Sequence, residues 1–263
     1  MKVLFIGDIV GKIGRRIVKD KLNYFVEKYN IDFVIANGEN ATHGKGLIYN
    51  HYNELINAGI DVITLGNHYD SKNEITRYIE RVDRLVRPVN LLKPFPGEGS
   101  VIFDVDGINI RVTNILGEAF INEQVNNPYY AMLEVMSDDE QVNIDIIDFH
   151  GEATAEKMAF ARAFDGKVAA VLGTHTHVQT NDAHVLPKGT AFISDVGMCG
   201  EYDSILGFEV ESVVQKTIYG AQAKFQLHDE GEALFSAVVI DIDELTGLAR
   251  DIFSIYYIEG KNC

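Results

Sequence analysis

Five short, largely apolar runs in this chain each stop on a polar cluster. Val3–Ile6 precedes Gly7-Asp8, Phe33–Ala36 precedes Asn37-Gly38-Glu39-Asn40, and Val62–Leu65 precedes Gly66-Asn67-His68. Ile144–Phe149 leads into His150, and Val168–Leu172 into Gly173-Thr174-His175-Thr176-His177. Apolar runs of this length, bounded by Gly and Asn, read as strands buried on both faces. Helix-length segments separate them, the first with the apolar stripe Ile13, Ile17, Leu22, Phe25, Val26 and Tyr29. Strands alternating with helices constrain the chain to an α/β fold, and in such sheets the loops at the carboxyl ends of the strands carry the chemistry.

The rest of the chain fits this frame. Helices are predicted near 50–58, 71–82, 129–136, 154–164 and 209–218. Val101–Val105 and Ile108–Ile115, joined by Asp106-Gly107, form a hairpin signal that adds an antiparallel margin or a second sheet. Further strands are predicted at 191–194, 233–241 and 252–257. The stretch Pro88–Pro96 reads as loop, leaving Asn90 and Lys93 exposed. With no linker, repeat or low-complexity segment, one domain over 1–263 is expected.

The chain carries 39 acidic and 23 basic residues, a net charge of -16. That balance argues against long nucleic acid and anionic membranes as partners, so a phosphate substrate must be attracted locally, most simply by cations. Cys199 and Cys263 are too few for a disulfide framework, and Cys199 reads as a small buried residue. The amino terminus runs straight into a strand and no stretch suits a membrane span, so a cytoplasmic protein is expected.

The strand-end residues are Asp8, Glu39, Asn40, Asn67, His68, His150, His175 and His177: two carboxylates, two amides and four imidazoles. Asp8 could instead cap the following helix. Glu39 is poor turn chemistry, but its two oxygens can bridge two cations, and Asn40 offers a neutral carbonyl oxygen. The HxH spacing in a loop lets two imidazoles diverge toward neighbouring ions. Mixed nitrogen and oxygen donors without thiolates suit iron, manganese or zinc. Two such cations about 3.5–4 Å apart make a phosphoryl-hydrolysing site. The Gly-flanked loop Thr42-His43-Gly44-Lys45-Gly46 suits close approach to an anion, with Lys45 and His43 as candidate substrate contacts. Asp148, Glu152 and Asp195 are candidate partners for metal-bound imidazoles. His51, His184 and His228 read as surface residues.

In order and spacing, Asp8, Gly38-Glu39-Asn40, Gly66-Asn67-His68, His150 and Gly173-Thr174-His175-Thr176-His177 resemble the calcineurin-like metallophosphoesterase superfamily. Val10 replaces a metal-binding His of its first motif, and Glu39 an Asp of its second. These departures resemble the YmdB branch of bacterial phosphodiesterases, as do the run Asn40–Gly46, Asp148-Phe149-His150 and Asp195-Val196-Gly197-Met198. The resemblance covers essentially the whole chain and implies a four-layer α/β/β/α sandwich. The implied activity is that of a metal-dependent 2',3'-cyclic-nucleotide 2'-phosphodiesterase, which leaves a 3'-nucleotide. Its implied site puts Asp8, Glu39, Asn40 and His177 on one metal, and Glu39, Asn67, His150 and His175 on the other, with iron in both. In the mechanism that the resemblance implies, a metal-bridging hydroxide would attack phosphorus and His68 would protonate the leaving ribose oxygen. A homo-oligomer is also implied. Tyr69 departs from the branch's Thr-Trp after His68, which bears on pocket shape. Alternatives with the same residues are a metallophosphatase or RNA nuclease, and a nucleotide-binding regulator without turnover.

Overall fold

In the computed structural model, which describes residues 1–137 and 141–261, the short strands assemble into two stacked sheets. The elements, in chain order, are β1 (Lys2–Ile6), β2 (Asp8–Ile9), α1 (Gly11–Tyr29), β3 (Phe33–Asn37), α2 (Tyr49–Asn57), β4 (Val62–Thr64) and β5 (Leu85–Val86). Next come β6 (Ser100–Val105), β7 (Ile108–Leu116), α3 (Pro128–Met136), β8 (Ile144–His150), α4 (Thr154–Ala163) and β9 (Ala170–Thr174). The last are β10 (His184–Val185), β11 (Ala191–Ile193), β12 (Met198–Glu201), α5 (Val210–Thr217), β13 (Ala233–Asp243) and β14 (Leu248–Ile258). The first sheet runs β2-β12-β13-β1-β3-β4-β5, with β14 also on β13; the second runs β10-β11-β9-β8-β7-β6. β1, β3, β4 and β5 are mutually parallel, as are β7, β8, β9 and β11.

The alternation of side chains along each strand decides the layers. Val3 and Phe5 of β1 face the second sheet, where they meet Ile110, Val112, Ile144, Ile146 and Leu172; Leu4 and Ile6 face Ile13, Ile17 and Leu22 of α1. In the second sheet Ile147 and Phe149 point outward to Met132 of α3 and Phe160 of α4. Three apolar layers between four structural ones give the α/β/β/α sandwich. The predicted hairpin forms in register from Ser100↔Thr113 to Val105↔Ile108, and Asp106 and Gly107 both take positive φ, the conformation a tight two-residue turn requires.

Several expectations need correction. Residues 71–82 make two 3-10 segments, Asn73–Arg77 and Ile79–Arg81, in place of one α-helix. Bonds from Ile75 N to Lys72 O and from Tyr78 N to Ile75 O put Ile75 and Tyr78 on one buried side, where the Tyr78 hydroxyl donates to Leu47 O. Asn90 is buried: its amide donates to Leu116 O and Asn126 O and its oxygen accepts from Leu116 N, closing the end of β7. His51 is half-buried against Thr42 Oγ1 at 2.8 Å, whereas Lys93, His184 and His228 are exposed. Cys199 is buried and free; Cys263 lies outside the described residues. Among the described residues no helix is long and apolar enough to cross a membrane.

Candidate metal centre

The carboxyl ends of β1, β3, β4, β8 and β9 come together at one edge of the sandwich, and they bring the predicted residues with them. Asp8 does not cap α1, whose N-cap is Val10 without a side-chain bond. Fully buried, Asp8 accepts from His175 N through Oδ2 at 3.1 Å, and its Oδ1 lies 3.8 Å from His177 Nε2. Glu39 is also buried; its Oε2 accepts from His68 N at 2.8 Å, and its Oε1 lies 3.1 Å from His150 Nε2.

Around His150 Nε2 stand Asn67 Oδ1 at 2.9 Å, His175 Nδ1 at 3.0 Å and Glu39 Oε1. One ring nitrogen carries at most one proton and cannot satisfy an amide oxygen, a carboxylate and a second imidazole together. Ligand atoms of Glu39, His150 and His175 all lie within 4.8 Å of one another, a spacing that suits a shared cation. A second convergence adjoins it, where the Asn40 amide sits 3.3 Å from Asp8 Oδ1, 3.3 Å from Glu39 Oε1 and 3.0 Å from His177 Nε2. A half-turn of that amide offers its carbonyl oxygen to the same space. Gly66 leaves the room between them, since a Cβ there would overlap Glu39 Oε2 and the His150 ring. Among the described residues, the donors of Glu39, His150 and His175 could hold a cation.

The buried charges act strongly on one another. Burial pushes the Asp8 carboxyl up to about 6 against the pull of His177 and His150. Burial also opposes ionisation of Glu39, but the charge and hydrogen bond of His150, with His68, hold it at about 2. His150, though desolvated, is raised to about 9 by Glu39 and Asp8, while burial and the nearby His150 press His175 down to about 3. These are the opposed displacements of acidic and basic groups crowded out of water.

Outer partners fix the imidazoles. His175 Nε2 lies 3.2 Å from Glu152 Oε2, and His177 Nδ1 donates to Leu206 O at 2.9 Å, which leaves His175 Nδ1 and His177 Nε2 facing the centre. Asp148, a candidate partner of His150, does not bond it directly; Thr174 stands between, with Oγ1 2.6 Å from Asp148 Oδ1 and 2.9 Å from His150 Nδ1. Asp148 also accepts from Thr64 Oγ1 at 2.5 Å and Asn37 Nδ2 at 3.0 Å, and Asn37 Oδ1 accepts from Glu39 N. Asp195 bonds no imidazole and pairs with Lys157 at 3.0 Å. Sequence reasoning misses Asn37, Thr64, Thr174 and Lys157; the only signal for the first three is their place at strand ends.

His68 stands beside the cluster. Its ring is partly buried with Nδ1 3.4 Å from Ser71 Oγ, and burial lowers its pKa, opposed by Glu39 and aided by Lys45. Lys45 and His43 are exposed on the neighbouring loop, where the His43 ring lies edge-on to His51 at 6.3 Å. Tyr69 is buried in the core with its ring edge-on to Phe95 at 4.7 Å.

Comparison with known proteins gives a consistent result. Over 253 residues the chain is 44% identical to the 2',3'-cyclic-nucleotide 2'-phosphodiesterase of Bacillus subtilis strain 168, covering 96% of this chain and 95% of that protein. A crystal structure of a novel phosphatase from Mycoplasma pneumoniae superposes with a TM-score of 0.92 at 37% identity, over 98% of this chain and 93% of the other. A hypothetical protein from Thermus thermophilus gives 0.91 at 38% identity, over 98% and 100%. The NAD nucleotidase of Haemophilus influenzae, 14% identical, shares the fold at a TM-score of 0.60, over 98% of this chain and 56% of its own. The family model described as YmdB-like protein matches residues 4–255, and the chain belongs to the YmdB-like family.

Proposed function

We propose that this protein is a dinuclear-metal phosphodiesterase that hydrolyses 2',3'-cyclic nucleoside monophosphates to 3'-nucleotides. The observation that carries the reading is the crowding of His150 Nε2 by Asn67, His175 and Glu39, beside the Asp8–Asn40–His177 convergence. The name of the B. subtilis relative supports the substrate class. Asp8, Glu39, Asn40 and His177 hold one cation, and Glu39, Asn67, His150 and His175 the other, with iron, manganese or zinc suited to these donors. Two cations there supply Lewis acidity toward phosphate and a water activated at neutral pH.

The chain's own residues do the rest. Glu39, anchored through Oε2 by His68 N–H, keeps Oε1 toward His150 and toward the Asn40 amide. His68 carries no metal; its ring is free to give a proton to the 2'-oxygen as that bond to phosphorus breaks. Lys45, exposed and close enough for its charge to act on His68, contacts the phosphate, with His43 beside it. In a chain of net charge -16, this local positive field is what draws an anionic substrate in.

The test is hydrolysis of 2',3'-cyclic AMP by iron- or manganese-loaded protein, with the product isomer identified. Wild type is expected to give 3'-AMP, and His68→Ala to retain its metals while losing about 10²–10⁴-fold in turnover. Full turnover in His68→Ala removes the acid assignment. A wild type that ignores cyclic nucleotides but cleaves aryl phosphates moves the substrate assignment to the metallophosphatase alternative.

A further inference from the structure

Lys157 is fully buried, an unusual place for an ammonium group, and the proposed reaction does not use it. It rises from α4 and ends beneath the His175–His177 loop. There Nζ donates to Thr174 O at 2.8 Å and to Asp195 Oδ2 at 3.0 Å. The same Asp195 oxygen accepts from Thr176 N at 2.9 Å, while Oδ1 accepts from Gly197 N at 2.9 Å. The pair therefore grips the backbone on both sides of His175.

His175 has φ 109 and His177 φ 65, both in the region that L-residues seldom adopt. Such a conformation persists only where surrounding bonds over-determine it. A buried ion pair adds little net stability over apolar packing, so energy alone does not account for one at this place. Its geometry does. The carbonyl before His175 and the amide after it are held at one point, and this aims His175 Nδ1 at His150 Nε2.

We propose that Lys157 and Asp195 are a positioning pair that holds the His175–His177 loop in its metal-binding conformation. The inference rests on the dimetal reading for its metal readout and on the loop geometry alone for its second readout. The variants are Lys157→Met, with Lys157→Gln in reserve if Met fails to fold, and Phe160→Leu as a control on the same helix, where Phe160 packs in the outer core against Phe149 and Phe164 and makes no bond to Thr174, Thr176 or Asp195 among the described residues. Two quantities are measured on the metal-free full-length chain: Mn²⁺ affinity by calorimetric titration, and hydrogen exchange of the 173–178 backbone.

The expected result is an Mn²⁺ dissociation constant at least about tenfold higher in the Lys157 variant. Exchange at the Thr176 amide should quicken, while Phe160→Leu, losing comparable thermal stability, keeps wild-type values of both. If the Lys157 variant and the control bind Mn²⁺ alike and protect Thr176 alike, the pair is structural and the proposal is overturned. If wild type itself takes up no Mn²⁺, the dimetal reading falls, and exchange at Thr176 alone decides the clamp.

Discussion

Individual side chains in this centre act through what lies behind them. Glu152 lies 3.2 Å from His175 Nε2, the nitrogen turned away from the cluster, in the position of a carboxylate that fixes tautomer and basicity of a metal-bound imidazole. Glu152→Gln keeps the shape and removes the charge, so metal affinity should weaken by about 10-fold or more with the melting temperature nearly unchanged; unaltered affinity would remove Glu152 from the site. Lys45 is a different case, an exposed cation with no fixed partner among the described residues. Lys45→Ala should raise KM for the cyclic nucleotide severalfold and leave kcat within about twofold, a pattern that marks lost ground-state binding. Steady-state kinetics decide it, and an unchanged KM ends the role. Most ligand candidates are legible at this scale because carboxylates, amides and imidazoles are rare at strand ends without a task. Lys157 is not, since a lysine on a helix is ordinarily solvated and its burial depends on Asp195, 38 residues away.

Among the elements, the strand-to-loop junctions matter most. β4 ends at Thr64, and Gly66 then passes so close to Glu39 and His150 that a methyl group has no room. Gly66→Ala should therefore displace Glu39 or the His150 ring and abolish binding of at least one cation, measured as metal content after dialysis, while the far-ultraviolet circular dichroism stays native. Retention of both metals would mean that the cluster tolerates more movement than its contacts imply. The loop after His177 is tied by Asp182, which accepts from Thr180 Oγ1 at 2.6 Å and from Ser194 Oγ at 2.5 Å. Burial would raise its pKa, but the bonds from Ser194 and Thr180 outweigh it and bring the carboxyl below its ordinary value. A depressed carboxyl stabilises the fold fully above its unfolded value, and that contribution disappears as pH falls through the folded one. Asp182→Ala should thus melt about 2–4 °C lower at pH 7, with the gap closing below about pH 4. A gap independent of pH would show that packing, not charge, is lost. The 71–82 segment reads as an α-helix in the sequence because its spacing of apolar residues serves a 3-10 turn equally well.

At the scale of the whole molecule, Asp148 joins the two halves. It stands on β8 of the second sheet, yet it accepts from Asn37 of β3 and Thr64 of β4 in the first, as well as from Thr174 of its own sheet. Candidate ligand loops from both sheets thus rest on one buried carboxylate. The sequence by itself determined the strand runs that lead to the site, the helices around 50–58, 129–136, 154–164 and 209–218, the hairpin at Asp106-Gly107 and the residues that end the strands. These follow from side-chain periodicity and turn chemistry, which act over a few residues. The tertiary structure decided the rest: which strand ends meet, that Asn90 and Lys157 are buried, that Thr174 stands between Asp148 and His150, and that Tyr69 turns into the core. Each of these depends on residues far apart in the chain, and burial and hydrogen-bond pairing exist only once the sheets are stacked.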